Sequence, residues 1–163
     1  MSKIKRILIV CTGNTARSPA GEYLAKFYAK KYNADLIFDS AGFINAFSYM
    51  QPDSREYLNT KGIIHSDFSP KILNKTLLNK QDLIITMEKQ HADEIKANFN
   101  DIQNIENKKI FIKTFTLKAF NGGEGDIIDP YYTNRATYKK VMKELDNQIE
   151  KMVLKIIELN KGN

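Results

Sequence analysis

The chain has 163 residues, 42% of them hydrophobic, and its 25 Lys and Arg outnumber 19 Asp and Glu to give a formal charge of +6. That length suits one domain with a sizeable core, no apolar run approaches the length of a membrane span, and a single cysteine, Cys11, rules out an intrachain disulfide scaffold or a multi-cysteine zinc site. The lysines are scattered, without a basic stripe interleaved with stacking aromatics, which argues against nucleic acid and leaves a surface attractive to phosphorylated, acidic partners.

Residues 1–10 carry basic side chains and a short apolar run but no small-residue cleavage site, so they read as a first strand and not as a signal peptide. Ile7 to Val10 is a buried parallel strand in this reading, and a helix opens at Ser18 with Pro19 in its first turn. The residues between them, Cys11-Thr12-Gly13-Asn14-Thr15-Ala16-Arg17, form a strand-to-helix loop. Inward-turned amides and the positive end of the helix suit such a loop to an anion, and Gly13 and Asn14 tolerate the positive φ that a tight nest requires. Cys11 then sits where these groups favour a thiolate, a nucleophile. Arg17, six positions on, can fold back with a planar fork that grips two phosphate oxygens. Ser18 can donate a hydrogen bond to the sulfur. Taken singly, these features have plainer readings: a lone cysteine after a strand is most often a small buried hydrophobe, and Gly-Asn is an ordinary turn pair.

The first helix, residues 18–32, carries Tyr23, Leu24, Phe27 and Tyr28 at helical spacing as core, with Glu22, Lys26, Lys30 and Lys31 elsewhere around it. Residues 36–38 form a second buried strand. Residues 43–51 are loop-like and aromatic, with Phe43, Phe47 and Tyr49 either lining a cleft or packing inward. Asp53 is placed as a helix N-cap with Glu56 as capping-box partner, ahead of a helix to about Lys61. His65 and His91 have no catalytic motif around them and read as packing or solvated residues. Asn74-Lys75-Thr76 fits a glycosylation acceptor, which has no meaning in a cytoplasmic protein. Residues 82–87 form a third strand, 88–98 a helix and 110–112 a short fourth strand. A Gly-rich stretch, residues 122–125, leads to Asp129, and a long amphipathic helix runs from Thr133 to near Leu159. This alternation implies an α/β fold over residues 1–163, a four-stranded parallel sheet covered by helices on both faces, with the site at the carboxyl ends of the strands where the strand order reverses.

The Cys-x5-Arg-Ser loop near the N-terminus resembles that of the low-molecular-weight protein tyrosine phosphatases, and the resemblance extends over nearly the whole chain. Ser40-Ala41-Gly42 is similar to that family's Ser-Ala-Gly turn, Asp129-Pro130-Tyr131-Tyr132 to its general-acid loop, and Pro52, Asp53 and Arg55 match its pattern. The resemblance implies a single-domain flavodoxin-like fold and phosphoester hydrolysis with no metal or cofactor. Cys11 would attack phosphorus, with Arg17 and the amides of Thr12, Gly13, Asn14, Thr15, Ala16 and Ser18 holding the phosphate oxygens. Asp129 would protonate the leaving oxygen and then activate water. Ser40 would support the loop through Asn14. Ala46 and Phe47 stand where the family usually has a bulky aromatic and a histidine in its cleft wall, so Phe47 or Tyr49 supplies the wall instead, with Tyr131 and Tyr132 flanking a flat substrate. The implied partner is a phosphorylated protein met by a cytoplasmic monomer.

Two features divide the substrate reading. Tyr131-Tyr132 and Pro52-Asp53-Arg55 look like the tyrosine enzymes, whereas Thr15, and the segment 125–130, are similar to bacterial protein arginine phosphatases; phosphotyrosine is the favoured substrate and phosphoarginine the alternative. Thioredoxin-coupled arsenate reductases share the loop but need further cysteines, which this chain lacks. A non-catalytic phosphate-binding module would have lost Cys11 or Asp129. Ala16 replaces a second loop cysteine of many relatives, so peroxide should inactivate the thiol with no protective disulfide to restore it.

Overall fold

The computed structural model describes residues 3–99, 105–106, 109–110 and 113–162. Strand β1 (Arg6–Cys11) is buried from its second residue onward because it pairs on one side with β2 (Ile37–Gly42) and on the other with β3 (Leu83–Thr86). Both of its faces are covered. Ile7, Ile9 and Cys11 enter one core with α1 (Arg17–Lys31) and α6 (Arg135–Lys161), while Leu8 and Val10 enter a second core with Leu78 of α3 (Lys75–Asn79) and Ile95 of α4 (Lys89–Asn98). An unbroken apolar run is what a parallel strand covered on both faces requires.

With β6 (Thr114–Thr116) beyond β3, the sheet has the order β2-β1-β3-β6, every pair parallel. The chain leaves β1 in one direction to β2 and crosses back to β3 on the other side. That reversal opens a crevice at the carboxyl end of β1, where Cys11 lies. Helix α6 packs across the first face with Tyr138, Val141, Met142, Leu145, Ile149, Met152, Val153 and Ile156 buried at three- and four-residue spacing. Fully burying each of its aliphatic side chains contributes about 1.5–3 kcal/mol. Among the described residues no helix is long and apolar enough to cross a membrane.

Several expectations are corrected. The sheet's fourth strand is Thr114–Thr116; Lys109–Ile110 forms β5, antiparallel to β4 (Ile105–Glu106) in a separate two-stranded sheet, and Phe111 and Ile112 lie outside the described residues. Asp53 is not the N-cap of α2 (Pro52–Thr60). Gln51 is, with Pro52 in the first turn and no capping-box bond, because the fixed φ of proline suits the first helical position and moves the boundary one step earlier. Asp53 and Glu56 instead face Arg135 of α6, at 3.6 and 2.6 Å. Two short helices went unread: α3, capped by Asn74, whose side chain accepts from the Leu77 amide, and α5 (Leu117–Phe120), capped likewise by Thr116. The Asn74 of the apparent glycosylation motif is thus a cap. On α1 the core stripe includes Tyr23, Leu24 and Tyr28, but Phe27 lies at the surface, edge-on to Tyr28.

Candidate active site

The loop after β1 closes around Asn14, which is fully buried and takes a positive φ of 53°. Gly42, ending β2, lies against it: a Cβ there would stand 2.6 Å from the Asn14 nitrogen and 2.7 Å from the Gly13 carbonyl carbon, so no larger residue fits without moving the loop. The Asn14 side chain is held on three sides. Its Oδ1 accepts the Lys71 backbone N–H at 3.0 Å, and its Nδ2 donates to Ser18 Oγ and Ser40 Oγ, each at 2.9 Å. Ser40 Oγ in turn donates to Glu22 Oε1 at 2.6 Å, and Lys26 pairs with Glu22 Oε2 at 2.6 Å. A backbone N–H can only donate, so Lys71 sets which end of the amide faces it and both Asn14 N–H groups must point at the serines. Ser18 Oγ therefore accepts a hydrogen bond from Asn14 and can donate its own O–H to Cys11 Sγ, 2.9 Å away; the Ser18 amide also points at that sulfur, at 3.4 Å.

Arg17, 1% exposed, turns back across the loop. Its Nη1 donates to Glu88 Oε2 at 2.9 Å and to the Ile127 carbonyl at 2.6 Å. Nη2 reaches Thr12 Oγ1 at 3.3 Å and lies 3.8 Å from Asp129 Oδ2, while Nε, also buried, has no hydrogen-bond partner among the described residues. One amino group is thus clamped and the Nε–Nη2 edge is left, which is the edge that grips two oxygens of a tetrahedral anion. A buried donor left unsatisfied costs roughly 1–3 kcal/mol, an expense that an incoming oxygen removes. Beside it His91 puts Nε2 3.0 Å from Thr12 Oγ1 and stacks on Phe43 with ring centroids 5.2 Å apart. Burial lowers the His91 pKa, against the opposing pull of Glu88.

The back of the loop is tied to α2 and α6. The Gln51 amide donates to the Thr15 carbonyl at 2.8 Å, Ser54 Oγ to the Ala16 carbonyl at 3.0 Å, and the Tyr138 hydroxyl to Gln51 Oε1 at 3.0 Å. Burial raises the Tyr138 pKa, so its hydroxyl stays a proton donor. The Thr15 side chain is buried there, 3.5 Å from Gln51 Nε2.

The opposite wall is open. The Asp129 side chain is 48% exposed and accepts the Tyr131 amide at 3.1 Å. Phe47 stands edge-on to Tyr131 at 5.4 Å and tilted against Tyr49 at 5.9 Å, and Tyr131 contacts Tyr132 at 4.0 Å. Tyr132 is 92% exposed with φ of 68°.

The structure brings Cys11, Thr12, Asn14, Arg17, Ser18, Ser40 and Asp129 together, the last two placed beforehand only by the resemblance. Ser40 belongs to β2 itself and not to a turn after it. Sequence reasoning missed Glu22, read as part of the outer surface of α1 and found 5% exposed beneath Ser40, together with Glu88 and the Lys71 amide. It also left His91 without a place at the loop. For Glu22 a signal existed, four residues from Lys26 and one turn behind Ser18 on the same helix; for the others the contact depends on segments more than fifty residues away.

The family model described as low molecular weight phosphotyrosine protein phosphatase matches residues 6–162. A protein-arginine-phosphatase of Bacillus subtilis is 32% identical over 148 residues, 90% of this chain and 93% of that protein. The low molecular weight protein-tyrosine-phosphatase PtpB of Staphylococcus haemolyticus is 32% identical over 145 residues, 86% of this chain and 91% of its own length. Among solved structures, a low molecular weight protein tyrosine phosphatase from T. tengcongensis superposes with a TM-score of 0.78 at 34% identity over 93% of this chain and 99% of that one. The YwlE mutant from Bacillus subtilis gives 0.82 at 29% identity over 93% and 97%. A model matched along almost the whole chain, with relatives of this identity from end to end, shows that the chain belongs to the low molecular weight phosphotyrosine protein phosphatase family.

Proposed function

We propose that the protein hydrolyses phosphotyrosine in phosphorylated proteins through a phosphocysteine intermediate, without metal, as a cytoplasmic enzyme. The observation that carries this reading is a Ser18 hydroxyl that can donate to Cys11 Sγ, together with a buried Arg17 whose Nε has no hydrogen-bond partner among the described residues and whose Nη2 has only a long bond, 3.3 Å, to Thr12 Oγ1. In the first step the Cys11 thiolate attacks phosphorus, the S–P bond forms as the O–P bond breaks, and Asp129 supplies the proton to the tyrosyl oxygen. Arg17 and the loop amides take up charge on the three equatorial oxygens. In the second step Asp129 removes a proton from water as it attacks phosphorus, and Cys11 leaves as thiolate with Ser18 donating to it. Phe47, Tyr49 and Tyr131 offer flat faces to the substrate ring.

Phosphoarginine is the second reading. Thr15, buried against Gln51, and the similarity to the protein-arginine-phosphatase of Bacillus subtilis support it, and a guanidinium leaving group would also suit the aromatic faces and the Asp129 carboxylate. Phosphotyrosine and phosphoarginine peptides of one sequence, assayed side by side in chelator with Cys11→Ser as control, decide between them. Faster Cys11-dependent release from phosphotyrosine upholds the first reading, faster release from phosphoarginine replaces it with the second, and no Cys11-dependent release from either removes both.

A further inference from the structure

The geometry points to Asp126 as the positioning residue that holds the Asp129 loop in register with the phosphate site, a role that rests on Asp129 being the general acid. Helix α4 begins without a cap of its own, since Glu88 at the N-cap position makes no side-chain capping bond. The missing acceptor comes from a distant segment: Asp126 Oδ1 accepts the Lys89 backbone N–H at 2.8 Å. A carboxylate there satisfies an orphan donor and sits against the positive end of a ten-residue helix. The next residue completes the clip. The Ile127 amide donates to the Met87 carbonyl at 2.8 Å, its side chain is buried, and its carbonyl receives Arg17 Nη1.

Residues 126 and 127 therefore dock on the β3–α4 turn, the same turn whose Glu88 pairs with Arg17. Before the clip lie Gly122 and Gly125, both at positive φ, a backbone with wide conformational freedom. After it the chain reaches Asp129 in two residues and carries that carboxylate to 3.8 Å from Arg17 Nη2. Without Asp126 the segment keeps Ile127 as its tie to the turn but loses the contact that fixes its direction. The phosphate-gripping groups are untouched by that loss, while the acid swings relative to the leaving oxygen.

The test compares Asp126→Ala and Asp126→Asn, the latter keeping an acceptor at Oδ1, on aryl phosphates whose leaving groups range from poor (phenol) to good (dinitrophenol), with Asp129→Ala as reference. For Asp126→Ala, kcat/KM, which reports the first step alone, should fall about tenfold with the poor leaving group and about twofold or less with the good one, because in that step only the poor one needs a well-placed proton. Asp126→Asn should recover most of the loss, and inhibition by inorganic phosphate should be unchanged in both. Equal losses on both substrates, weakened phosphate inhibition, or no loss at all would overturn the inference. If Asp129→Ala itself shows no leaving-group dependence, the acid assignment fails instead. The anchor is then read from hydrogen exchange at the Lys89 amide, which Asp126→Ala accelerates if the clip exists and leaves unchanged if it does not.

Discussion

Thr12, Asn14, Thr15 and Arg17 on one wall of the cleft each send a side chain to a different part of the fold: His91 of α4, Ser40 of β2, Gln51 ahead of α2, and Glu88 with the Ile127 carbonyl. On the facing wall, residues 122–133 are tied to the β3–α4 turn by Asp126 and Ile127, and the side chains beyond them lie largely in solvent. The difference follows from what each wall has to do. Charge on phosphate oxygens is best met by donors already in place, because donors that must reorganise during the reaction give much of the benefit back. In the proposed function the wall carrying Asp129 has to admit a side chain belonging to another protein and release it again, which suits its aromatic faces and one exposed carboxylate.

The largest break in this comparison is Cys11→Ser, which should lower turnover by about 10⁴-fold or more while leaving the thermal midpoint near that of the parent; retention of turnover would remove the loop as the reaction centre. Next, Asp129→Ala should cost about 10²–10³-fold in kcat with a poor leaving group, again with little change in melting, since the side chain is half exposed. A large drop in melting temperature would mean that the open wall is structural after all. On the closed wall the order of effects should invert. Gly42→Ala forces a Cβ into the Asn14 backbone and should destabilise by about 1–3 kcal/mol in denaturant unfolding, with activity lost through the displaced loop. Unchanged stability there would show the loop to be pliable.

The smallest effect concerns pH. The buried His91 has its pKa lowered in the folded state, so the unfolded chain binds the proton first as pH falls below the ordinary histidine value of about 6.5. Above that pH neither state carries the charge and nothing is lost; below it folding stability declines until the folded pKa is reached. His91→Gln should flatten this part of the stability profile, and an unchanged slope would place the acid sensitivity elsewhere.

The chemistry was legible because it is local. Cys11, Gly13, Asn14, Arg17 and Ser18 fall within eight residues, where the end of a strand and the start of a helix dictate the path of the backbone and leave few ways to arrange the side chains. The alternation of apolar strands and amphipathic helices carried the sheet class for the same reason, since periodicities of two and 3.6 residues are properties of neighbouring residues. Asp129 could be placed only through the resemblance of its surrounding segment to a known loop.

The tertiary structure decided the support. Glu22 looked like one more charge on a helix surface until β2 brought Ser40 over it; the polarity of Asn14 depends on an amide at Lys71, and the orientation of Arg17 on Glu88 and Ile127. The fourth strand moved to Thr114–Thr116, since what ends a short strand is pairing with β3 and not its own composition. Partners 18 to 110 residues apart leave no periodic trace in a chain, because their pairing is set by the order of strands in the sheet. Sequence spacing thus determined which groups share the loop after β1, and packing between distant segments determined which way each of them points.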